Sequence, residues 1–318
     1  MTVSKHIILG AGGVISYPLV RELQSRGQTV KLVSRRGHEL PGTESIRADL
    51  TKGADVLAAV ETSSIVYLVA GLPYNTLVWS EVWPKVMQNT IDACSSTGAR
   101  LLFFDNVYMY GKVEGAMTEE SPISPCSKKG EVRAHIANLL LTAVGKGNLR
   151  GLIARSADFY GPFASASSVP MSLVIERLMM GKKARWLGNA HKKHSLTYTV
   201  DCGKALALLA ESEDAYGQVW HLPTASPPIT GEEFIRIAAR KLEVSPAHSV
   251  LGRTSLRLAG LFSPIVREAY EMIYQNEDEY IFDSSKFEKR FRFRPTPYEE
   301  GIGSAVEYAL QKRGEKTS

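Results

Sequence analysis

The first chemical signal is a group of three glycines. Gly10, Gly12 and Gly13 follow the apolar run His6–Leu9 and precede Val14–Arg26, where Leu19, Val20 and Leu23 fall at helical spacing. Small residues between a strand and a helix let the backbone approach a pyrophosphate, and the helix start adds N–H groups and the positive end of its dipole. Gly10, Gly12, Gly13, Val14 and Ile15 are therefore candidate phosphate contacts, with Ser16 where a third glycine often lies. The next apolar run, Thr29–Val33, ends in Ser34-Arg35-Arg36. A carboxylate at that strand end would hold a ribose 2′-OH. None is present, and two guanidinium groups suit a 2′-phosphate bidentately and can stack on adenine. The expected ligand of this half is NADP. Asp49 and Leu50, after the third strand, are placed to meet the adenine ring.

The elements that must position these groups alternate. Apolar runs at His6–Leu9, Thr29–Val33, Ser64–Ala70, Arg100–Phe104 and Leu149–Ala154 read as strands. Between them Val14–Arg26, Val56–Val60, Val78–Ser96 and Val132–Val144 read as helices. Continuous apolar strands separated by helices imply parallel strands buried on both faces. The expected fold class is α/β, a doubly wound parallel sheet with a smaller, mostly helical C-terminal domain. The expected division is 1–162 plus 198–222 for the sheet domain and 163–197 plus 223–318 for the substrate domain. A Ser/Ala loop, Phe163–Ser168, leads to a helix over Met171–Met180. Met171, Leu173, Met179, Met180 and Trp186 read as minor-domain core or pocket wall, core first.

Composition removes several function classes. The 318 residues are 44% hydrophobic and 22% charged, as in an ordinary globular protein. The net charge of +5 favours anionic ligands, yet no dense Lys/Arg block marks a nucleic-acid binder. Lys182, Lys183, Arg185, Lys192 and Lys193 read as a solvated face. Three cysteines, Cys94, Cys126 and Cys202, form no C-x-x-C pair, so neither a disulfide framework nor a zinc site is expected. The start of the chain carries no signal-peptide apolar core, and Gly71, Pro73 and Asn75 interrupt the longest uncharged run, Thr62–Ser80. A cytoplasmic protein without membrane or metal is expected.

Five further motifs accompany the glycine loop Gly10–Ser16. They are VAG at 69–71, VYMYG at 107–111, ARSADFYGP at 154–162, YTVDCGKAL at 198–206 and FDSSKFEKRFRFRPTPYEEGI at 282–302, with NVYMYG opening on Asn106. Together they resemble the extended short-chain dehydrogenase/reductase family, the NAD-dependent epimerase/dehydratase group, over nearly the whole chain. The resemblance implies that Val69, Ala70 and Gly71 line the cofactor's ribose and phosphate. It implies that Ser156 and Ala157 meet the nicotinamide and that Asp158 begins the substrate pocket. Tyr74 and Asp158 are the candidate substrate contacts.

The chain departs from that family where its chemistry resides. The family uses a Ser or Thr after the fifth strand, then a Tyr and, four residues on, a Lys that lowers the tyrosine pKa. Here Asn106 takes the Ser/Thr position, Cys126 the Tyr position and Gly130 the Lys position. The expected substitutes are Tyr108 as proton donor, Lys129 beside it and Asn106 to orient a carbonyl. Asp105 reads as a loop-capping carboxylate. Sugar-nucleotide members carry an Arg where this chain has Ser195, with Lys192, Lys193 or His194 as compensation.

Three functions compete at this stage. The first is an NADP-dependent oxidoreductase acting on a small or apolar carbonyl compound or alkene. The second is a sugar-nucleotide epimerase or dehydratase. The third is a non-catalytic NADP-binding sensor. A homodimer is expected through Val78–Ser96 and Val132–Val144, with Trp79, Trp83 and Leu139–Leu141 giving apolar surface.

Overall fold

The computed structural model describes residues 5–164 and 168–317. The expected loop Phe163–Ser168 therefore lies partly outside the described residues. Two compact units divide the chain. The first runs to Gly111 and adds Ile123–Ser156 and Cys202–Leu222. The second comprises Lys112–Pro122, Ala157–Asp201 and the chain from Pro223.

The first unit is a seven-stranded sheet. Its strands are β1 (His6–Leu9), β2 (Val30–Ser34), β3 (Glu44–Arg47), β4 (Ile65–Leu68), β5 (Arg100–Asp105), β6 (Gly151–Arg155) and β7 (Val219–His221). All neighbours pair in parallel, in the order β7-β6-β5-β4-β1-β2-β3. The helices are α1 (Ser16–Ser25), α2 (Gly53–Ala59), α3 (Thr76–Thr97), α4 (Lys128–Gly145) and α5 (Thr199–Glu211). The doubly wound reading holds. Strand order reverses between β1 and β4, and ligands of such sheets bind at the strand C-termini beside that switch point.

Alternation within the strands decides which helix covers which face. Ile7 and Leu9, Val66 and Leu68, Leu101 and Phe103 share one buried face with Trp83, Val86, Met87 and Ile91 of α3 and Val132, Ile136 and Leu140 of α4. On α5, a Cβ at Gly203 would lie 2.6 Å from the Pro18 backbone, so the absent side chain is what lets α5 approach α1. Asn75 caps α3 by accepting from the Val78 amide, and Gly98 ends it in the left-handed conformation. Ser127 caps α4 by accepting from the Gly130 amide.

Trp79 and Trp83 do not supply outer surface. They are 6% and 2% exposed and belong to the core under the sheet. Their stripe on α3 faces the strands, where each buried ring stabilises by roughly 2–3 kcal/mol.

The second unit is mostly helical, with Gly231–Lys241, Arg253–Gly260, Pro264–Tyr270, Ser285–Phe291 and Tyr298–Thr317. Short strand pairs bind it together: Asp158–Tyr160 with Leu196–Tyr198, Ala184–Leu187 with His248–Leu251, and Lys193–His194 with Ile229–Thr230. Tyr160 packs on Tyr198, Phe234 and Tyr298. Met171 and Trp186 join the core as expected, whereas Met180 is 57% exposed. Met180 follows the last turn of the expected helix, which opens with a π-turn at Met171–Ile175 and ends at Met179. No described helix is long and apolar enough to cross a membrane.

Candidate active site

The glycine loop sits at the C-terminal end of β1, beside the end of β4. Gly10 and Gly12 have φ of +99° and +87°, a region that L side chains rarely adopt. A Cβ on Gly10 would lie 2.3 Å from the Ala70 Cα, so only glycine admits the Val69–Gly71 turn this closely. The Ser16 hydroxyl accepts from the Gly12 amide and donates to the Gly13 carbonyl, at 3.1 and 2.6 Å. It thus ties the loop to the first turn of α1, which a third glycine could not do. Among the described residues the Val14 and Ile15 amides have no hydrogen-bond partner. Two open donors at a helix start, above a cradle that a Cβ would fill, fit a pyrophosphate.

At the end of β2, Ser34 accepts from the His38 amide at 2.9 Å, which shapes the turn through Gly37. Arg35 and Arg36 are exposed. Asp49 caps its own turn by accepting from the amide and hydroxyl of Thr51. These hydrogen bonds hold its carboxyl below the usual range, with a smaller contribution from the charges of Lys52 and Arg35. Leu50 packs against the α2–α3 core and its carbonyl accepts from Asn89.

Around the end of β5 the structure builds something the motifs did not announce. Asp105 is 1% exposed. Its Oδ1 accepts from Arg133 Nε at 2.6 Å and from the Asn106 amide at 2.8 Å. Arg155 Nε lies 3.7 Å from its other oxygen. Arg155 also donates to the Tyr110 hydroxyl, which meets His221 Nε2, each at 2.7 Å. The Arg133 guanidinium lies over the rings of Trp83 and Phe103, at 4.6 and 5.0 Å from their centroids. Sequence reasoning missed Arg133. Its signal was a guanidinium one residue after Val132, on a helix whose Ile136 and Leu140 mark the buried stripe.

Asp105 thereby fixes the turn that carries two expected catalytic residues. Asn106 Oδ1 accepts from the Tyr108 amide at 3.1 Å. The Tyr108 ring is half-buried and stacks on Trp79, with centroids 6.2 Å apart. Lys129 is fully buried, donates to the Thr76 hydroxyl at 2.9 Å and lies 4.7 Å from the Tyr74 ring centroid. Tyr74 meets Trp79 edge-on. Tyr74, Lys129 and Tyr108 therefore gather around Trp79 at the start of α3.

The end of β6 leads out of this unit. Ser156 is buried and its amide donates to the Asp105 carbonyl at 3.0 Å. Ala157 and Asp158 belong to the second unit. There Asp158 Oδ2 meets His194 Nε2 at 3.0 Å. Ser195 accepts from the Phe282 amide at 2.9 Å, so its hydroxyl holds a strand where sugar-nucleotide members carry an arginine. Among the described residues no group of three or more His, Cys, Asp or Glu could hold a metal ion.

The sequence profile of the NAD dependent epimerase/dehydratase family matches residues 6–222. The chain belongs to this family. Among curated proteins, none matches the chain significantly. Solved structures with a similar fold include three family enzymes. The UDP-glucose 4-epimerase of Thermus thermophilus, in complex with NAD, is 18% identical, with a TM-score of 0.78 over 96% of this chain and 98% of that one. The dTDP-glucose 4,6-dehydratase of Streptomyces venezuelae, with NAD bound, is 16% identical, with a TM-score of 0.80 over 98% of both chains. The UDP-glucuronic acid 4-epimerase of Bacillus cereus, in complex with NAD, is 16% identical, with a TM-score of 0.76 over 97% of this chain and 99% of that one. The loop ahead of α4 carries no tyrosine followed four residues on by a lysine.

Proposed function

We propose that this epimerase/dehydratase-family chain is a nicotinamide-dinucleotide enzyme acting on a sugar nucleotide, and that it favours NADP. The observation that carries the dinucleotide is the Gly10–Gly13 cradle with the open Val14 and Ile15 amides beside Ala70. Arg35 and Arg36, with no carboxylate at the end of β2, support the 2′-phosphate. Family membership, together with likeness to UDP- and dTDP-sugar enzymes over almost their full lengths, supports the substrate class.

The bound dinucleotide would supply the hydride chemistry. Val14 and Ile15 would bind its phosphates, and Arg35 and Arg36 would hold the 2′-phosphate. Asn106 would orient the substrate oxygen, and Tyr108 would donate or accept the proton from the turn that Asp105 and Arg133 hold rigid. Lys129 would anchor the start of α3 through Thr76.

A second reading, reduction of a small carbonyl compound or alkene, draws support from Ser195. An enzyme without that arginine has less to hold a diphosphate. One experiment separates the readings. The protein is incubated with UDP-glucose, dTDP-glucose and UDP-glucuronic acid, and products are read by NMR because epimerisation and dehydration leave no net redox change. In parallel, aldehydes, ketones and enones are offered with NADPH and its absorbance is followed. Sugar conversion supports the first reading. NADPH oxidation without sugar conversion replaces it with the second. Tight NADP binding with neither makes the chain a sensor. In whichever assay turns over, Tyr108→Phe should cut turnover about 10²-fold or more, the usual worth of general acid–base help, and leave NADP affinity within about threefold. Unchanged turnover removes Tyr108 from the chemistry.

A further inference from the structure

Two short helices of the second unit, Arg253–Gly260 and Pro264–Tyr270, meet at an apolar corner. Their inner side is packed. Leu256 joins Leu187 and Ile273 in a small core, with Leu251, Val266 and Tyr270 against it. Gly260 lies four residues on from Leu256, on the same face, and a Cβ there would stand 3.4 Å from the Arg267 Cα. The outer side is different. Leu258 falls two residues after Leu256, about 200° round the helix, and so points away from that core. Leu258 is 60% exposed, Leu261 72% and Phe262 90%. The helices dock through Leu256 and Val266, so the three outward side chains contribute little to holding them.

The charges around this corner have one sign. From Val244 to Arg267 the chain holds three arginines and no carboxylate. Arg253 is neutralised by a bidentate pair with Glu277. Arg257 and Arg267 are exposed and, among the described residues, form no ion pair. They bracket the apolar side chains, one just before Leu258 and the other after Phe262.

We propose that this corner docks on the surface of an anionic lipid bilayer. Leu258, Leu261 and Phe262 enter the boundary between headgroups and acyl chains, and Arg257 and Arg267 pair with the anionic headgroups. Their guanidinium groups stay at headgroup level while their stems lie along the apolar layer. The size of the patch favours this occupant over a protein. Three apolar side chains offer roughly 400 Å², about half of what each partner of a stable protein complex buries. A bilayer needs no matching shape, only apolar depth and negative charge. The net charge of +5 adds attraction at longer range. Docking is peripheral, since no described helix is long and apolar enough to cross a membrane. It departs from the expectation of no membrane contact, and it is independent of the dinucleotide site and of the substrate reading.

Sedimentation of the full chain with lipid vesicles tests it. Vesicles of equal parts phosphatidylcholine and phosphatidylserine should carry the protein down, and vesicles of phosphatidylcholine alone should bind it at least about tenfold more weakly. Raising the salt from about 0.05 to 0.5 M should weaken binding about tenfold, because the headgroup pairs are screened. Leu261→Ser/Phe262→Ser should cut the affinity at least about tenfold by removing apolar depth. Arg257→Glu/Arg267→Glu should cut it as much by opposing the headgroups. All four positions are exposed, so both variants should keep the wild-type urea midpoint. If either does not, Phe262→Ser and Arg257→Gln alone give the same reading. A wild type that ignores the anionic vesicles overturns the proposal. Equal binding to both kinds of vesicle overturns it too, as does undiminished binding by the variants. If light scattering without vesicles shows a self-associated wild type that Leu261→Ser/Phe262→Ser breaks up, a second copy of the chain covers the corner and the lipid surface is refuted.

Discussion

Gly130 lies directly beneath the carbonyl of Tyr108. A Cβ built on it would stand 2.6 Å from that oxygen, 2.9 Å from the capping hydroxyl of Ser127 and 3.0 Å from Pro125. In the register expected from the sequence this is the family's lysine position. The missing Tyr–Lys pair is thus a packing arrangement and more than a change of two side chains. At this backbone a lysine stem on Gly130 has no room.

Restoring the pair should fail for that reason. Gly130→Lys forces a side chain against backbone and should destabilise the protein by about 1–3 kcal/mol, as overpacking does. The double variant Cys126→Tyr/Gly130→Lys should be no more stable than Gly130→Lys alone, because Cys126 is exposed and its replacement relieves no contact with Tyr108. Urea unfolding of the three variants checks this. A Gly130→Lys protein as stable as the wild type would show that the start of α4 yields easily.

Arg35 carries the cofactor prediction. It follows Ser34, whose hydroxyl is engaged with the His38 amide, and the guanidinium groups at 35 and 36 are exposed charged donors at that strand end. Wild type should bind NADPH at least about tenfold more tightly than NADH, a difference of roughly 1.4 kcal/mol. Arg35→Asp should erase or invert the preference by placing a carboxylate where a ribose 2′-OH would sit. Calorimetric titration of both dinucleotides reads it directly, and equal wild-type affinities end the idea.

What the sequence made legible follows from physical range. β1, β4 and β6 were readable because each is a continuous apolar run buried on both faces, and the cradle because Gly10 and Gly12 punctuate it; the polar, partly exposed β3 gave no such signal. Lys193–His194 and Ile229–Thr230 pair as strands of two residues, too short to show any period. The His194–Asp158 contact joins residues 36 apart through such a pair, so no local pattern could announce it. Trp79 and Trp83 were legible as an apolar stripe. Whether that stripe faced the sheet or a second chain depended on the rotation of α3, which a stripe alone does not set.

The assembly prediction consequently moves to other residues. A groove between α3 and α4 is lined by Ile91, Asp92, Leu139, Thr142 and Ala143. We propose a homodimer in which this face meets its own two-fold copy. Thr142 is exposed, so Thr142→Arg should leave the fold intact and shift the protein toward monomer. Light scattering at micromolar concentration checks both forms, and a monomeric wild type refutes the proposal.

Acid should unfold this protein partly through His6. The residue starts β1 and is 2% exposed, with Nδ1 2.8 Å from the Tyr67 hydroxyl and its ring stacked on that tyrosine. Burial penalises the imidazolium, and with a smaller push from Arg100 it brings the His6 pKa down to about 4, against an ordinary value of 6.5. Burial likewise raises the Tyr67 phenol, so it stays protonated throughout this range. Between the two His6 values the unfolded chain binds the proton and the folded chain does not. Stability therefore falls as the pH drops from about 6.5 toward 4, with nothing lost from this group above that window. At pH 4.5 the loss from His6 alone should be roughly 2–3 kcal/mol relative to pH 7.5. His6→Gln keeps a hydrogen-bonding partner for Tyr67 and removes the titration, so it should lower stability at pH 7.5 yet lose less on acidification than the wild type. Urea midpoints at the two pH values give both differences. If the wild type and His6→Gln lose the same amount, His6 is accommodated in its charged form and burial does not govern its protonation.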